Sequence, residues 1–427
     1  MEPSHTPKTL GYLDVLRRPA FALYFSGALV DTFGNNIFLM TVLWSIFKLT
    51  GSPISLSGII AVSIAPTILF APLAGTIVDR WDRRRIALIL ILLNAAIILC
   101  GVLFCKLNLL GIALLFTLCI LISISNVFFN LSVVSLLPEI VPEEGLVAAN
   151  ALVGSSVQTG RIIGSGLTGV ILEYFSIERV LLIDASTYIF GALCLFFMLR
   201  FPLVSSKKAA MRAKVETWKN FTACIHYIKV TPVILGISVI FLLPQMTEYL
   251  LSVLQVPYVS EVLRRGPSAL GTIDAVFGTG AIVGSLVLVA LIRFWGENIF
   301  FWIGPVGMGM GYLLFALAGG LFEAVPASFL VGLSGSMTHI FYITSIQRQV
   351  NNNFLGRFLS FLDWSNSILT LSLVLGIGVL IKFYNTRASF VIMSILLFVG
   401  AGLGVRMAIR MRTLPLVNDQ IKSSYEG

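Results

Sequence analysis

The chain has 427 residues, of which 57% are hydrophobic and only 11% charged, and its mean hydropathy is +0.95. A soluble globular protein carries about 25% charged residues, so this composition excludes a water-exposed globular body: there is too little polar surface to cover one. The net charge of +9 would suit nucleic acid, but the placement of the basic residues along the chain explains it otherwise.

The apolar residues fall in blocks of roughly 20, the length a helix needs to cross about 30 Å of hydrocarbon at 1.5 Å per residue. The first twenty residues are mixed polar, with Lys8, Arg17 and Arg18. They hold no short apolar run ending at a small-residue cleavage site, so no cleaved signal peptide is expected. Hydropathy and helix breakers then predict twelve helices, numbered here 1 to 12, over 21–47, 54–79, 85–105, 109–136, 147–173, 179–200, 232–259, 268–293, 299–319, 324–347, 356–382 and 387–409. Outside the helix cores, 21 Lys and Arg lie on the side that holds both termini and 7 on the other. The positive-inside rule therefore puts both termini in the cytoplasm. The basic excess faces the anionic inner leaflet, and no nucleic-acid partner is expected.

The longest hydrophilic stretch, with Lys207, Lys208, Arg212, Lys214, Lys219 and Lys229, separates six helices from six. The expected organisation is a cytoplasmic segment 1–20, a six-helix bundle 21–201, a cytoplasmic linker 202–231, a second bundle 232–409 and a cytoplasmic tail 410–427. The halves echo each other at an offset of about 210 residues. Polar loops after helices 4 and 10 each lead into a helix with a glycine cluster, Gly164, Gly166 and Gly169 in one and Gly376 and Gly378 in the other. The fold class is thus an all-α membrane protein of twelve transmembrane helices in two pseudo-symmetric six-helix bundles, an arrangement that places a site between repeats.

No Walker A, HExxH or nucleophile-elbow motif occurs. The five cysteines (Cys100, Cys105, Cys119, Cys194 and Cys224) are odd in number and lack metal-ligand spacing, so they read as small buried hydrophobes. No cofactor, metal or enzymatic activity is expected. Any energy must come from an ion gradient, from the substrate's own gradient or from another chain.

Ionisable groups inside the membrane are the sharpest signal, because each is costly unless paired or hydrated. Asp31 in helix 1 and Arg161 in helix 5 both lie about 16–21 Å deep at 1.5 Å per residue, and an ion pair between them is expected. Glu248 in helix 7 and Asp363 in helix 11 have no evident basic partner and are candidates to take up and release a proton. Asp184, near the outer end of helix 6, reads as structural or capping. Polar stripes support a wet cavity: Asp31 with Asn35; Ser123, Asn126 and Asn130; Gln245, Glu248, Ser252 and Gln255; Ser336, His339 and Tyr342. Helices 3, 9 and 12 are nearly blank, as lipid contact requires.

The end of helix 2 reads Gly75-Thr-Ile-Val-Asp79-Arg80-Trp81-Asp82-Arg83-Arg84. An acid at a helix C-terminus faces the wrong end of the dipole, which makes sense where another helix N-terminus, expected to be that of helix 11, lies opposite. This stretch resembles the G-x-x-x-D-R-x-x-R-R/K signature of the major facilitator superfamily, with Asp82 in place of the usual Gly. Leu49-Thr50-Gly51-Ser52, Leu137-Pro138-Glu139-Ile140-Val141-Pro142, Ala148-Ala149-Asn150, Leu182-Ile183-Asp184-Ala185 and Gly356-Arg357-Phe358-Leu359-Ser360 resemble the branch that includes macrolide-efflux proteins and the enterobactin exporter. The resemblance spans about residues 15–405. It implies a cavity lined by helices 1, 4, 7 and 10. Helix 5 keeps the glycines of the exporter motif (Gly160, Gly164, Gly166, Gly169), but Ser165 stands where Pro is expected.

The resulting expectation is a multi-pass protein of the bacterial inner membrane that exports a small amphipathic molecule by proton antiport, as a monomer. Protons, the small-molecule substrate and membrane lipid would be its partners, and an export partner in the periplasm or outer membrane is left open. Asp31, Arg161, Glu248 and Asp363 are the proton-coupling candidates. Asn35, Phe38, Asn126, Asn130, Gln245, Tyr249, His339 and Tyr342 are the cavity candidates. Gly75, Asp79, Arg80, Arg83 and Arg84 form the candidate latch. The rival readings are a dedicated siderophore or metabolite exporter, an importer or uniporter (which Ser165 would suit), and a non-transporting receptor or scaffold.

Overall fold

The computed structural model describes residues 11–78, 81–202, 232–296, 299–350 and 352–413. Among these residues, after a one-turn helix, Tyr12–Leu16, come twelve long helices: α1 Pro19–Thr50, α2 Pro53–Val78, α3 Arg83–Lys106, α4 Ile112–Ile140, α5 Leu146–Tyr174, α6 Ile177–Met198, α7 Pro232–Pro257, α8 Pro267–Trp295, α9 Phe300–Leu317, α10 Leu321–Gln349, α11 Asn352–Tyr384 and α12 Thr386–Thr413. Among the described residues there is no strand. Hydrocarbon offers no hydrogen-bond partner, and a helix satisfies its backbone groups within its own segment. Eleven of these helices are long and apolar enough to cross a membrane. The remaining one, α5, has 29 residues, but Asn150, Ser155, Ser156, Gln158, Thr159 and Arg161 make it more polar than the others.

The helix ends follow local chemistry. Gly51 takes the left-handed conformation at φ 58° between α1 and α2, and Pro53 opens the next helix, where its missing N–H costs nothing. Asp82 caps α3, its carboxylate accepting from the Arg84 N–H at 3.0 Å. The residue that departs from the superfamily signature therefore has a local task. Helix α7 carries Pro244 in its interior and ends in a π-turn, Tyr258–Val262.

The chain divides into two compact units, Met1–Leu49 with Val62–Ala213, and Thr50–Ala61 with Lys214–Gly427. In the first, α3 packs on α4 and α6; in the second, α9 packs on α10 and α12. The same neighbour relations thus recur six helices later, as an internal repeat requires. The second unit also packs α8 on α10, and α7 on α10, α11 and α12. Its core gathers Phe300, Phe301, Phe341, Tyr342 and Phe358, with Phe301 and Phe341 edge to face at 4.8 Å.

Apolar surface gives helices little reason to associate in lipid, so close backbone contact has to do it. Between α8 and α10 a Cβ on Gly332 would strike the Phe277 carbonyl, and one on Gly280 the Phe329 carbonyl. Gly332→Leu is expected to cost about 1–3 kcal/mol through overpacking, read as a lowered unfolding temperature in detergent. Gly376→Ala, whose added Cβ meets nothing within 4 Å, should leave that temperature unchanged.

Candidate functional site

Two polar centres stand out, one in each unit. The first is built on α1, where Asn35 donates from Nδ2 to Asp31 Oδ2 at 3.0 Å and to the Asp31 carbonyl at 3.0 Å. Asn126 of α4 donates to Asn35 Oδ1 at 3.1 Å, and the Tyr188 hydroxyl of α6 donates to the same oxygen at 3.3 Å. Asn94 of α3 continues the chain, donating to Asn126 Oδ1 at 3.0 Å. Side chains from four helices are thereby joined in one network. An amide buried in hydrocarbon must find such partners or bear the cost of desolvation.

Asp184 lies one turn before Tyr188 on α6 and is fully buried. Its Oδ1 sits 3.1 Å from the point a Cβ on Gly34 would occupy, so the absence of a side chain there lets α6 bring a carboxyl against α1. Neither oxygen of Asp184 has a hydrogen-bond partner, and neither does Asp31 Oδ1. Beside Asp31 lies a cavity of about 150 Å³, walled by Tyr24, Ala28, Phe129, Asn130, Val157 and Cys194 among others. Helix α5 closes on α1 at two glycines: a Cβ on Gly160 would come within 3.0 Å of the Leu29 carbonyl, and one on Gly164 within 3.2 Å of that of Phe33. Gly166 and Gly169 continue the same helix.

These positions correct three expectations. Asp31 turns to Asn35 rather than to Arg161: its carboxylate accepts from Asn35 Nδ2 along α1, and Arg161 sits half-buried on α5. Asp184 caps no helix end but faces Gly34 in the interior. Helix α3 is not blank, because Asn94 is fully buried in the network. Asn94 and Asp184 each stood in the sequence as a lone polar residue in an apolar run, a pattern that demands a partner on another helix.

The second centre is more open. Gln245 of α7 and His339 of α10 meet at 2.5 Å between Nε2 and Nδ1. Phe241 lies beside the imidazole, its ring centroid 5.9 Å away. Asp363 of α11 is within electrostatic reach of His339, and both are exposed. Glu248 follows Gln245 by one turn, with Oε1 3.4 Å from the point a Cβ on Gly335 would occupy. Tyr249 is exposed. Tyr342 does not join this centre: it is fully buried, its hydroxyl donating to the Phe301 carbonyl at 2.6 Å. Phe38 is also buried, which removes it from any open wall.

Of the candidate latch, Asp79 and Arg80 lie outside the described residues, and Gly75 falls within α2. Arg83 bonds Glu139 Oε1 at 2.7 Å and the Ser135 carbonyl at 3.0 Å; Arg84 bonds the Phe201 carbonyl at 3.2 Å. These two arginines tie the start of α3 to the ends of α4 and α6.

Tyr342→Phe deletes the bond to Phe301 and leaves a buried carbonyl with one partner fewer. A stability loss of about 0.5–1.5 kcal/mol is expected, seen as a lower unfolding temperature in detergent. Binding or transport by the folded fraction should be unchanged, as suits a core residue.

Known proteins place this architecture. The chain is 23% identical over 389 residues to the uncharacterized MFS-type transporter YfiS of Bacillus subtilis, covering 86% of this chain and 88% of that protein. It is 23% identical over 356 residues to the uncharacterized MFS-type transporter y4rN of Sinorhizobium fredii, covering 83% and 86%. Among solved structures, a POT family transporter superposes with a TM-score of 0.75 at 14% identity, covering 91% of this chain and 96% of that one. The nucleoside transporter NupG superposes at 0.72 and 12% identity, covering 91% and 98%. The Major Facilitator Superfamily profile matches residues 24–263, more than half of the sequence. With twelve long helices, a repeated pattern of neighbours and polar centres within the apolar helices, the chain belongs to the Major Facilitator Superfamily: it is a multi-pass membrane transporter, not an enzyme.

Proposed function

We propose that this transporter exports a small amphipathic organic molecule from the bacterial cytoplasm by alternating access, driven by proton antiport across the inner membrane. The observation that supports this most is the first polar centre. A carboxyl inside a membrane helix, joined to neutral amides and not to a cation, is costly as an anion and is relieved by taking up a proton. The second centre offers complementary chemistry for a ligand: the Gln245 amide, the His339 imidazole with the Phe241 ring beside it, and the carboxyls of Glu248 on α7 and Asp363 on α11. The apolar walls of the cavity beside Asp31 would suit the nonpolar part of an amphipath.

A second reading, uptake of a solute, draws on Ser165. It is fully embedded in an unbroken α5, so the kink that Pro would impose in the exporter motif is not built in. Two groups of experiments separate the readings. Inverted vesicles containing the protein should accumulate a fluorescent amphipath from a panel of dyes, macrolides and siderophores, and a protonophore should abolish that accumulation. Asp31→Asn should abolish accumulation while leaving exchange of substrate down its gradient. Accumulation only in right-side-out vesicles would establish uptake instead. Insensitivity to the protonophore, with full dependence on a sodium gradient, would remove the proton from the scheme.

A further inference from the structure

Two carboxyls on different helices share the first centre. Asp31 borders the cavity, whereas Asp184 has no exposed surface. Asp184 Oδ1 stands against Gly34, one turn after Asp31 on α1, and Tyr188, one turn after Asp184, bonds the same Asn35 that holds Asp31. Three of their four oxygens, both of Asp184 and Oδ1 of Asp31, are buried without a hydrogen-bond partner. A carboxylate left in that state bears the full cost of desolvation, and two buried like charges at close quarters add repulsion.

The side chains hydrogen-bonded into this centre are neutral. Facing the pair, α1 brings Tyr24, α6 brings Tyr188 and Cys194, and α3 and α4 bring the neutral amides Asn94 and Asn126. Helix α5, packed on α1 at Gly160 and Gly164, carries Arg161, half-buried. Among the described residues no third His, Cys, Asp or Glu joins the two acids in a group that could hold a metal ion. The ligand that removes charge without needing further oxygens is the proton.

Building on the antiport reading, we propose that Asp31 and Asp184 form a single proton-binding unit, with Asp184 the second carboxyl of the coupling site. Asp31 exchanges with solvent through the adjacent cavity: its O–H bond breaks, the electron pair stays on the carboxylate and the proton leaves to water. Asp184, sealed against Gly34, is the partner whose charge state sets the balance of that exchange. The acid on α1 is thus read through α6, and the two titrate as a pair.

Coupled groups lose their protons in two macroscopic steps that belong to the pair. Infrared difference spectra of the carboxyl stretch, recorded through a pH titration of the full-length protein in detergent, need no substrate and so are independent of the direction of transport. The titration of the double variant supplies the signal of all other carboxyls, and after its subtraction wild type should show two steps. Asp31→Asn and Asp184→Asn should each show one, at a midpoint displaced by about one pH unit or more from either wild-type step. A single variant that keeps one wild-type midpoint unchanged would show that the acids do not interact and would overturn the proposal. Should Asp184→Asn fail to fold, the displaced step of Asp31→Asn alone decides. Loss of the two steps on replacing choline by sodium would mean that the pair binds the metal ion, which also overturns it. If the two steps hold while vesicle transport ignores the proton gradient, the pair stands and the antiport reading falls.

Discussion

Hydrocarbon satisfies no hydrogen bond, and the rest of this structure answers that constraint. Backbone groups are satisfied within the helices. Hydroxyls are satisfied by the helix they sit on: Thr41, Ser45, Thr168 and Thr338 each donate to the carbonyl four residues earlier. Longer polar side chains must reach a neighbouring helix. The run from Asn94 through Asn126 and Asn35 to Asp31 is such a reach, and it fixes which faces of α1, α3 and α4 point inward. Tyr188 adds α6 to the same arrangement.

The same constraint governs packing. Lipid tails are as apolar as Leu side chains, so helices gain little by hiding Leu from them. Stability comes instead from close contact, and glycines stand where backbones meet: Gly160 and Gly164 between α5 and α1, Gly280 and Gly332 between α8 and α10. The glycines of α5 that mark a family motif in the sequence therefore have a mechanical reason. They let α5 lie against the helix that carries Asp31, at the depth of that residue.

The two centres divide chemical labour. The first is enclosed except at the cavity beside Asp31: amide groups satisfy one another, and the polar atoms left without partners belong mainly to carboxyls. A centre of that kind stores a charge state. The second is open, with His339 and Asp363 exposed and Pro244 interrupting α7 one residue before Gln245. A proline removes a ladder bond and frees a carbonyl, which makes this stretch of α7 suited to touching a ligand.

Much of the architecture could be read from the sequence, because span length and hydropathy are properties of single segments. Each predicted helix corresponds to an observed one, and Asp31 and Asn35 from one polar stripe and Asn126 from another occupy one network. Partner choice was not legible. Helical periodicity gives the face a residue occupies on its own helix, but which helix lies opposite depends on the packing of non-adjacent segments. For that reason depth alone points Asp31 toward Arg161, whereas Asp184 and Tyr188 of α6 meet its helix at Gly34 and Asn35, and spacing alone points Tyr342 toward an open wall, whereas an aromatic core encloses it. The sequence by itself determined the solvent, the helices and the family. Only the tertiary structure decided which buried polar groups meet, because the contacts that satisfy them join residues as far apart as Asn35 and Tyr188, 153 positions along the chain.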